Sequence, residues 1–402
     1  MNFIQISSFD QGAFYRELIC EHGSPLLVLD VQRVREQYYA LQQALPGVKL
    51  HYALKSFPHR SIVSLLNHMG ACFDLASSGE IEMVGDLRIS AERTIHSHPI
   101  KRDKDIRDAL RFGCSTFVVD NTDELLKFIP YKNRVGLLIR LSFRSQAAIV
   151  DLSKKFGCTP EEAVEMLSIA SRIGINIKGL SFHVGSQCGN SQQQVKAIEI
   201  CNTLIRRCTA DNATALRILD IGGGFPVAYD NKPVDIDGYC APIRSALAAL
   251  PRQVAVIAEP GRFISGPAMT CIASVIGKAE RNGMRWYYLD EGVYGSFSGQ
   301  IFDHVRYPLE IFSDAASNFP SVLAGPTCDS IDLIAEDVSL PELKIGDILV
   351  GHMMGAYTAA SATEFNSLPK ASIIVYDRAA AAIGKSVQPG AEITNGDRFM
   401  RV

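Results

Sequence analysis

Three short motifs in this chain carry groups with complementary chemistry. Lys55 ends HYALK, and a lysine amine that desolvation or cationic neighbours keep uncharged can form a Schiff base with a carbonyl group. Gly222, Gly223 and Gly224 lie in IGGGFP, where the backbone can approach an anion and direct several N–H groups at it. Arg262 ends AEPGR, and its guanidinium complements a phosphate. Together these residues indicate a phosphate site near a reactive amine.

Two further residues narrow the chemistry of this predicted site. Glu259 lies three residues before Arg262, and His183 lies in FHVG. A carboxylate can keep a pyridine nitrogen protonated, which strengthens the ring as an electron sink, and a histidine can stack on that ring. Pyridoxal phosphate needs these groups together with a lysine and a phosphate anchor. Each residue alone also fits an ordinary role, as a solvated lysine, a tight glycine turn or a packed histidine.

The glycine run does not support a nucleotide site. It matches neither GxxxxGK[ST] nor a complete GxGxxG motif, so both nucleotide-binding interpretations fail.

Eight β-rich runs between residues 26 and 265 alternate with amphipathic stretches that fit helices. One such stretch follows Asp30, a plausible N-cap, with apolar residues recurring at helical spacing. This alternation over about 240 residues predicts parallel strands in a (β/α)8 barrel, with a doubly wound open sheet as the alternative. The eight runs are LHYALK (50–55), CFDLAS (72–77), TIHSHP (94–99), TFVVD (116–120), VGLLIRL (135–141), GLSFHVG (179–185), LRILDIGG (216–223) and VAVIAEPG (254–261).

Polar residues or glycines end these runs, where a barrel enzyme carries its chemistry. A single polar strand end is weak evidence, because loops follow strands in any fold. The whole set is stronger and consists of Lys55, Asp74, His98, Asp120, Arg140, His183, Gly222–Gly224, Glu259 and Arg262.

The sequence pattern changes after residue 265. AMTCIASVIG, RWYYLD, IDLIAE, GDILVGH and ASIIVYD are β-like, with few helical patterns between them. They predict a second, mostly antiparallel β domain, sandwich-like or barrel-like, formed by residues 266–402 together with residues 1–25. From Arg378 onward the chain is rich in alanine and glycine, and we expect a loose terminal segment there.

Composition excludes several function classes. The 402 residues carry a formal net charge of −3 and no basic stripe, so a nucleic-acid partner is not expected. No apolar run approaches 18 residues, and the N-terminus lacks the pattern of a signal peptide, so we expect no membrane association. Ten cysteines without a CxxC pair suggest neither a disulfide framework nor a zinc site. They fit reduced thiols in a cytoplasmic enzyme.

The predicted second domain contains three polar motifs. GPTCDSID places Cys328 beside Asp329, DEGVYGSFSGQIFDH contains Tyr294 and Asp303, and GAYT contains Tyr357. The Cys-Asp pair fits either a buried thiol beside a capping carboxylate or a proton donor beside a group that binds a cation. The other two motifs also fit ordinary turns.

Taken in order, these motifs resemble those of the fold-type III pyridoxal-phosphate decarboxylases, whose barrel is alanine-racemase-like, and most closely the ornithine and lysine decarboxylases. The resemblance extends from about residue 25 to about residue 370. It is carried by YALK, FDLAS, FHVGSQ, LDIGGGFP, AEPGR, DEGVYGSF with FDH, GPTCDSID and GAYT.

The resemblance implies a pyridoxal 5'-phosphate site with assigned roles. Lys55 would form the Schiff base with the cofactor, Asp74 and Glu80 would lie near it, and Glu259 would pair with the pyridine nitrogen. Arg140 and His183 would lie over the cofactor, with His183 stacked on the ring. The residues that would hold the phosphate are Ser186, Gly222, Gly223, Gly224, Arg262 and Tyr357.

The resemblance also implies a homodimer with shared active sites. Cys328 would protonate Cα after carbon dioxide leaves, and Asp303 and Asp329 would bind the distal ammonium of a diamino acid. Cys328, Asp329, Tyr294 and Phe365 would come from the partner subunit. The implied reaction converts L-ornithine or L-lysine into its diamine, such as putrescine for polyamine biosynthesis.

Several alternatives remain open. The substrate could be another diamino acid, such as 2,4-diaminobutyrate, or an amino-acid conjugate of secondary metabolism. Diaminopimelate decarboxylases carry Glu-Ser after the cysteine, whereas this chain carries Asp-Ser. A racemase of this fold would place an arginine where Glu259 lies. A non-catalytic regulatory homologue would not need both Lys55 and Cys328.

The chain departs from the family pattern at three positions. His96 and His98 replace a small residue and an asparagine, and Phe302 replaces a tyrosine. Two histidines at i and i+2 of a strand would point the same way, but no further ligand is evident, so we predict no metal. His98 could narrow the pocket.

Overall fold

The computed structural model describes residues 4–143, 148–150, 154–210, 215–230 and 232–377. The described chain forms two compact units. We call residues 35–227 with 233–264 the barrel unit, and the rest of the described chain the β unit. The predicted loose segment from Arg378 lies outside the described residues.

The chain begins with strand β1 (Ile4–Ser7), helix α1 (Ala13–His22), strand β2 (Leu26–Asp30) and helix α2 (Val31–Ala44). The predicted N-cap is confirmed, because Oδ1 of Asp30 accepts hydrogen bonds from the backbone N–H groups of residues 32 and 33, at 2.9 and 3.2 Å.

The barrel unit contains ten strands, and eight of them close into a barrel. The ten strands are β3 (Lys49–Ala53), β4 (Cys72–Leu75), β5 (Thr94–His96), β6 (Thr116–Val119), β7 (Gly136–Leu141), β8 (Ala148–Val150), β9 (Ile177–Phe182), β10 (Ser186–Cys188), β11 (Ile218–Asp220) and β12 (Ala255–Ala258). The barrel order is β11-β12-β3-β4-β5-β6-β7-β9, and β8 and β10 form a separate antiparallel pair. Every neighbouring pair in the barrel is parallel. The prediction of a (β/α)8 barrel from these eight runs is therefore confirmed.

Helices connect the barrel strands in the right positions for parallel crossovers. They are α3 (Arg60–His68), α4 (Ser78–Asp86), α5 (Asp103–Phe112), α6 (Thr122–Leu126), α7 (Pro160–Ile173), α8 (Gln192–Ala210) and α9 (Ile236–Ala248). The short helix α10 (Arg262–Ser265) follows β12, the last barrel strand. Local sequence sets their ends. In α7 the Thr159 side chain accepts from the N–H of Glu162, Pro160 occupies the first turn, and Gly174 ends the helix in a left-handed conformation.

A buried apolar cluster of the barrel strands holds the barrel together. Ile95, Val118, Leu138 and Ile257, from strands β5, β6, β7 and β12, form it. Because all eight strands are parallel, their C-terminal ends lie at one end of the barrel, where the polar strand-end residues lie.

The β unit is a mixed sheet of nine strands. Its later elements are β13 (Met269–Arg281), β14 (Met284–Leu289), α11 (Gly299–Phe302), β15 (Leu309–Phe312), β16 (Asn318–Ala324), β17 (Leu333–Pro341), β18 (Ile348–Gly351) and β19 (Ser372–Tyr376). Five strand pairs are antiparallel. The other three, β1–β15, β14–β16 and β19–β2, are parallel. The predicted second, mostly antiparallel domain is thus present, and β1 joins it as expected.

The observed boundary between the units differs from the predicted one at residue 26. Strand β2 pairs with β13 and β19, so residues 26–34 belong to the β unit. Residues 228–232, inside the predicted barrel range, also belong to the β unit.

Candidate active site

Lys55 and Asp74 form an ion pair at the mouth of the barrel. Lys55 lies in a turn of 3-10 helix directly after β3, and its Nζ lies 2.7 Å from Oδ2 of Asp74 in β4. The Lys55 side chain is 39% exposed, whereas that of Asp74 is 1% exposed. A buried carboxylate thus holds an amine that is still open to a ligand.

The glycine run forms a tightly packed turn after β11. Gly222 and Gly224 have positive φ angles of 63° and 91°, which favour glycine. A Cβ at position 223 would lie 2.6 Å from the carbonyl oxygen of Glu259 and 3.2 Å from Nε2 of His183. No side chain other than hydrogen fits here without displacing its neighbours. The run therefore packs directly against His183 and Glu259.

Arg262 and Ser186 meet beside this turn. Arg262 is 5% exposed, and its Nε donates to the Ser186 hydroxyl at 3.1 Å. The run is anchored to both sides, since the Glu259 N–H donates to the Gly222 carbonyl at 2.8 Å and the Cys188 N–H donates to the Gly224 carbonyl at 2.9 Å. Backbone groups, a hydroxyl and a guanidinium therefore converge as an anion site requires.

Glu259 lies buried beside a second carboxylate that sequence reasoning missed. Asp220, at the end of β11, is fully buried and accepts from the Gly222 N–H at 2.8 Å. Burial, followed by the charges of Asp220 and Asp74, raises the pKa of Glu259 well above its usual value. Oε1 of Glu259 has no hydrogen-bond partner within the described part of the chain. The position of Asp220, two residues before the glycine run, was the available sequence signal for it.

Arg140 and His183 are two further ionisable side chains at the mouth of the barrel. Burial lowers the pKa of Arg140, and the nearby carboxylates, Glu259 first, oppose that shift. Burial, followed by the charges of Arg140 and Lys55, lowers the pKa of His183 well below 6.5, so its ring is neutral at pH 7. The Gly185 N–H donates to Nδ1 of His183 at 3.0 Å, which leaves Nε2 to carry the ring proton.

Glu80 supports this network from helix α4. Its Oε2 accepts from the Ala76 N–H at 2.5 Å. Burial is the largest cause that raises the pKa of Glu80 to about 7, and the charge of Asp74 acts in the same direction. Glu80 and Asp74 therefore interact electrostatically.

The β unit brings together several of the residues assigned to substrate binding. The Tyr294 hydroxyl donates to Oδ2 of Asp329 at 2.5 Å, and its ring stacks on Phe365 with centroids 4.4 Å apart. The hydrogen bond from Tyr294 is the largest cause that lowers the pKa of Asp329, which keeps this carboxylate charged. The exposed Cys328 donates its N–H to the Asn366 side chain at 2.9 Å. Cys328, Asp329, Tyr294 and Phe365 thus occupy adjacent loops.

Two other predicted residues lie elsewhere in the β unit. Asp303 directly follows helix α11, and its N–H donates to the Gly299 carbonyl at 3.0 Å. Tyr357 lies in a loop with a positive φ of 55° and is half-buried.

Two buried acids that the sequence alone did not reveal accept hydrogen bonds within the loops that carry Tyr294 and Cys328. Asp332 accepts from the N–H of Val293 at 2.8 Å and from the N–H and hydroxyl of Thr327 at 3.0 and 2.7 Å. Glu291 accepts from the Gly292 N–H and the Ser296 hydroxyl, each at 2.9 Å. Asp332 therefore ties the Tyr294 loop to the loop before Cys328. An aspartate inside a glycine-rich turn motif gave no sequence signal of this role.

The expectation that His96 and His98 share one strand face is wrong. Strand β5 ends at His96, and His98 lies in the loop that follows. His98 lies edge-on to Phe156, with centroids 5.6 Å apart. Among the described residues, no group of three or more His, Cys, Asp or Glu side chains could hold a metal ion.

A family model described as pyridoxal-dependent decarboxylase, pyridoxal binding domain, matches residues 31–266, more than half of the chain. This chain is a member of the pyridoxal-dependent decarboxylases. The enzyme is therefore a carboxy-lyase that uses pyridoxal phosphate.

Individual relatives are similar to this decarboxylase over most of the chain. A lysine/ornithine decarboxylase of Vibrio vulnificus, solved in complex with cadaverine, is 51% identical and superimposes with a TM-score of 0.87 over 92% of this chain and 97% of its own. A lysine/ornithine decarboxylase of Selenomonas ruminantium is 36% identical over 361 residues, 88% of this chain and 90% of the relative. Antizyme inhibitor 2 of Xenopus laevis is 33% identical over 92% of this chain and 88% of its own.

The residues of this decarboxylase fit its cofactor. The glycine run leaves a cradle that any Cβ would fill, and Arg262 and Ser186 lie beside it. Buried polar atoms without partners in the described residues, Oε1 of Glu259 and Nε of Arg140, point to a missing polar ligand. A search of the described helices found none with the length and apolar character needed to cross a membrane.

Proposed function

We propose that this decarboxylase acts on L-ornithine and L-lysine and releases the corresponding diamine and carbon dioxide. The observation that carries the proposal is the Tyr294–Asp329 pair, because it presents a carboxylate that stays ionised and can bind a distal ammonium. The Vibrio relative, at 51% identity, has been solved in complex with cadaverine and with putrescine, the diamines of this reaction.

In the barrel unit we assign each residue a role toward the cofactor. Bound pyridoxal phosphate supplies an electron sink for the electrons that are left on Cα when the carboxylate departs. Lys55 offers its amine, and Asp74 orients that amine through the 2.7 Å contact. Glu259 would hold the pyridine nitrogen, and the neutral ring of His183 would stack on the cofactor ring. Ser186, Gly222–Gly224 and Arg262 would hold the phosphate, as would Tyr357 of the β unit, and Arg140 would lie over the cofactor.

For the second half of the site we propose a homodimer with shared active sites. Cys328 would deliver a proton to Cα from the partner subunit, and Asp329, Tyr294 and Phe365 of that subunit would bind the substrate together with Asp303. Large apolar side chains are exposed around these loops. This supports a dimer, because a partner subunit that covers exposed apolar surface removes it from water. The exposed fractions are 59% for Phe302, 53% for Ile331 and 41% for Phe365.

The enzyme works, we propose, in the cytoplasm. All ten cysteines are free thiols, and the exposed Cys328 and Cys20 are best preserved in a reducing compartment.

A regulatory protein without activity is the second candidate function, because the Xenopus relative is named as an inhibitor. The Lys55–Asp74 pair argues against it, since a protein that has lost catalysis has no need to hold a lysine in that position. A racemase does not fit, because the position beside the glycine run holds the acid Glu259.

Carbon dioxide release from a substrate panel tests the proposal. The purified enzyme with pyridoxal phosphate should decarboxylate ornithine and lysine, and be much slower on 2,4-diaminobutyrate, arginine and diaminopimelate. The distal carboxylate of diaminopimelate would meet the like charge of Asp329. No release from any substrate, despite cofactor absorbance near 420 nm, would favour the regulatory alternative. A preference for diaminobutyrate would refute the assignment of ornithine and lysine.

A further inference from the structure

Gln187 has an unusual conformation beside the proposed phosphate site. It directly follows Ser186 in strand β10, and its φ angle is +57°. This left-handed region is comfortable for glycine and strained for a residue with a Cβ. A strained residue next to a ligand site points to a local function that offsets the strain.

The side chain of Gln187 makes a two-point contact that a glycine could not make. Its Oε1 accepts from the Val227 N–H at 2.9 Å, and its Nε2 donates to the Val227 carbonyl at 2.5 Å. Both bonds form only in one orientation of the carboxamide, so the pair is specific. Val227 lies three residues after Gly224, so this contact ties the segment of the glycine run to strand β10.

Residues near Gln187 form further hydrogen bonds between strand β10 and the segments around it. The Cys188 N–H donates to the Gly224 carbonyl at 2.9 Å, and the Tyr239 hydroxyl lies 2.8 Å from the Cys188 carbonyl. The same hydroxyl lies 2.7 Å from Oε1 of Gln194, which is fully buried. Strand β10 is therefore held on both sides, and Gln187 is its only side-chain link to Val227 among the contacts of the described residues.

We propose that Gln187 is a positioning residue that holds the glycine run at the correct distance from Ser186 and Arg262, and so fixes the phosphate cradle. Ser186 receives the hydrogen bond of Arg262 from one side of Gln187, and Val227 receives the carboxamide on the other. Without the carboxamide, the backbone bond from Cys188 to Gly224 remains, but the segment around Val227 loses its side-chain link to strand β10, so the cradle is held less firmly. The inference rests on the proposed phosphate site, and it makes no use of the substrate.

Equilibrium dialysis of cofactor-free, full-length protein against pyridoxal phosphate and against pyridoxal tests the inference. Both ligands can react with Lys55, and only the first carries a phosphate. The wild type should bind pyridoxal phosphate far more tightly than pyridoxal. Gln187→Ala should weaken the binding of pyridoxal phosphate about tenfold, since two hydrogen bonds that order the cradle are lost, and should change pyridoxal binding less than about twofold.

Gln187→Gly separates positioning from backbone strain. It removes the same carboxamide but relieves the left-handed conformation, so it should be at least as thermally stable as Gln187→Ala and still bind pyridoxal phosphate weakly. Gln192→Ala, a change at an exposed glutamine of helix α8, is the matched control and should bind both ligands like the wild type.

The outcomes distinguish failure of the inference from failure of the site. If Gln187→Gly binds pyridoxal phosphate like the wild type, or if both ligands lose affinity equally in Gln187→Ala, the positioning role is refuted. If the wild type itself does not distinguish the two ligands, the proposed phosphate site is refuted, and the inference falls with it.

Discussion

Replacing His96 with phenylalanine should remove a pH-dependent part of the stability of the barrel unit. The His96 side chain is 1% exposed, and neither ring nitrogen has a hydrogen-bond partner among the described residues. Its ring centroid lies 5.8 Å from that of Phe117, which in turn lies 5.1 Å from that of Phe128. Burial, followed by the charge of Lys101, lowers the pKa of His96 from 6.5 to about 4. A phenylalanine would extend this aromatic cluster.

The direction of the effect follows from proton binding. Between pH 6.5 and pH 4 the unfolded chain takes up a proton at this histidine that the folded chain excludes, so the free energy of unfolding falls as the pH falls. The contribution of His96 is complete above pH 6.5 and is lost as the pH falls toward 4. At about 1.36 kcal/mol per pH unit, the loss is about 2 kcal/mol at pH 5 and about 3 kcal/mol at pH 4. A loss of about 3 kcal/mol lowers Tm by roughly 6–12 °C in a unit of this length.

The assay is denaturant unfolding of wild type and His96→Phe at a series of pH values from 7.5 to 5. The difference in unfolding free energy should grow by about 2 kcal/mol in favour of the variant over this range. His68→Gln, at an exposed position of helix α3, should follow the wild type at every pH. A constant difference between His96→Phe and wild type would show that the folded chain protonates this histidine as readily as the unfolded chain does, and would refute the reasoning.

Three further predictions concern the active site. Glu259→Ala should keep cofactor binding, measured by absorbance, but lower kcat by about 10²–10³, because a charged partner of the ring is lost; an unchanged kcat would contradict the role. Mixing inactive Lys55→Ala and Cys328→Ala homodimers should restore up to about a quarter of wild-type activity, since half of randomly paired dimers are mixed and each has one intact site. No recovery despite proven subunit exchange would mean that each chain builds its own site. Asp329→Asn should lose far more kcat/KM on ornithine or lysine than on uncharged norvaline, because only the former lose a charged partner worth about 1.5–3 kcal/mol; equal losses would indicate a purely structural carboxylate.

The barrel was predictable because its signals are local and repeated. Eight apolar runs that alternate with helical patterns leave few arrangements other than a closed parallel sheet. The strand pairing of the β unit was harder to predict from the sequence. Its strand β16 contains Pro320, a residue that usually argues against a strand, but pairing with β14 begins only at Ser321, so the missing N–H costs no bond on that side. The pairing of β2 with β13 joins residues about 240 apart, and no local pattern encodes such a contact.

The residues of the candidate site likewise divide into those that local sequence signals reveal and those that only the fold reveals. Lys55, Glu259, Arg262 and the glycine run stand at strand ends and could be found from motif and position. Asp332 and Gln187 could not, because their importance lies in what they touch. A buried aspartate that accepts three hydrogen bonds and one that caps an exposed turn have the same letter in the sequence, and only the fold separates them.

The charges at the barrel mouth explain why this arrangement suits a cationic ring. Asp74 is paired with Lys55, but Glu259 and Asp220 lie buried side by side. Burial raises the pKa of both, and the charge of Asp220 raises the pKa of Glu259 further, whereas the hydrogen bond with Glu259 lowers that of Asp220. The protein alone is therefore short of positive charge at this point, and Oε1 of Glu259 has no partner among the described residues to supply it. A protonated nitrogen placed at that oxygen would lower the pKa of Glu259 again and restore a stable ion pair. Since the carboxylate favours the cation as much as the cation favours the carboxylate, Glu259 in this position would keep a bound pyridine ring protonated.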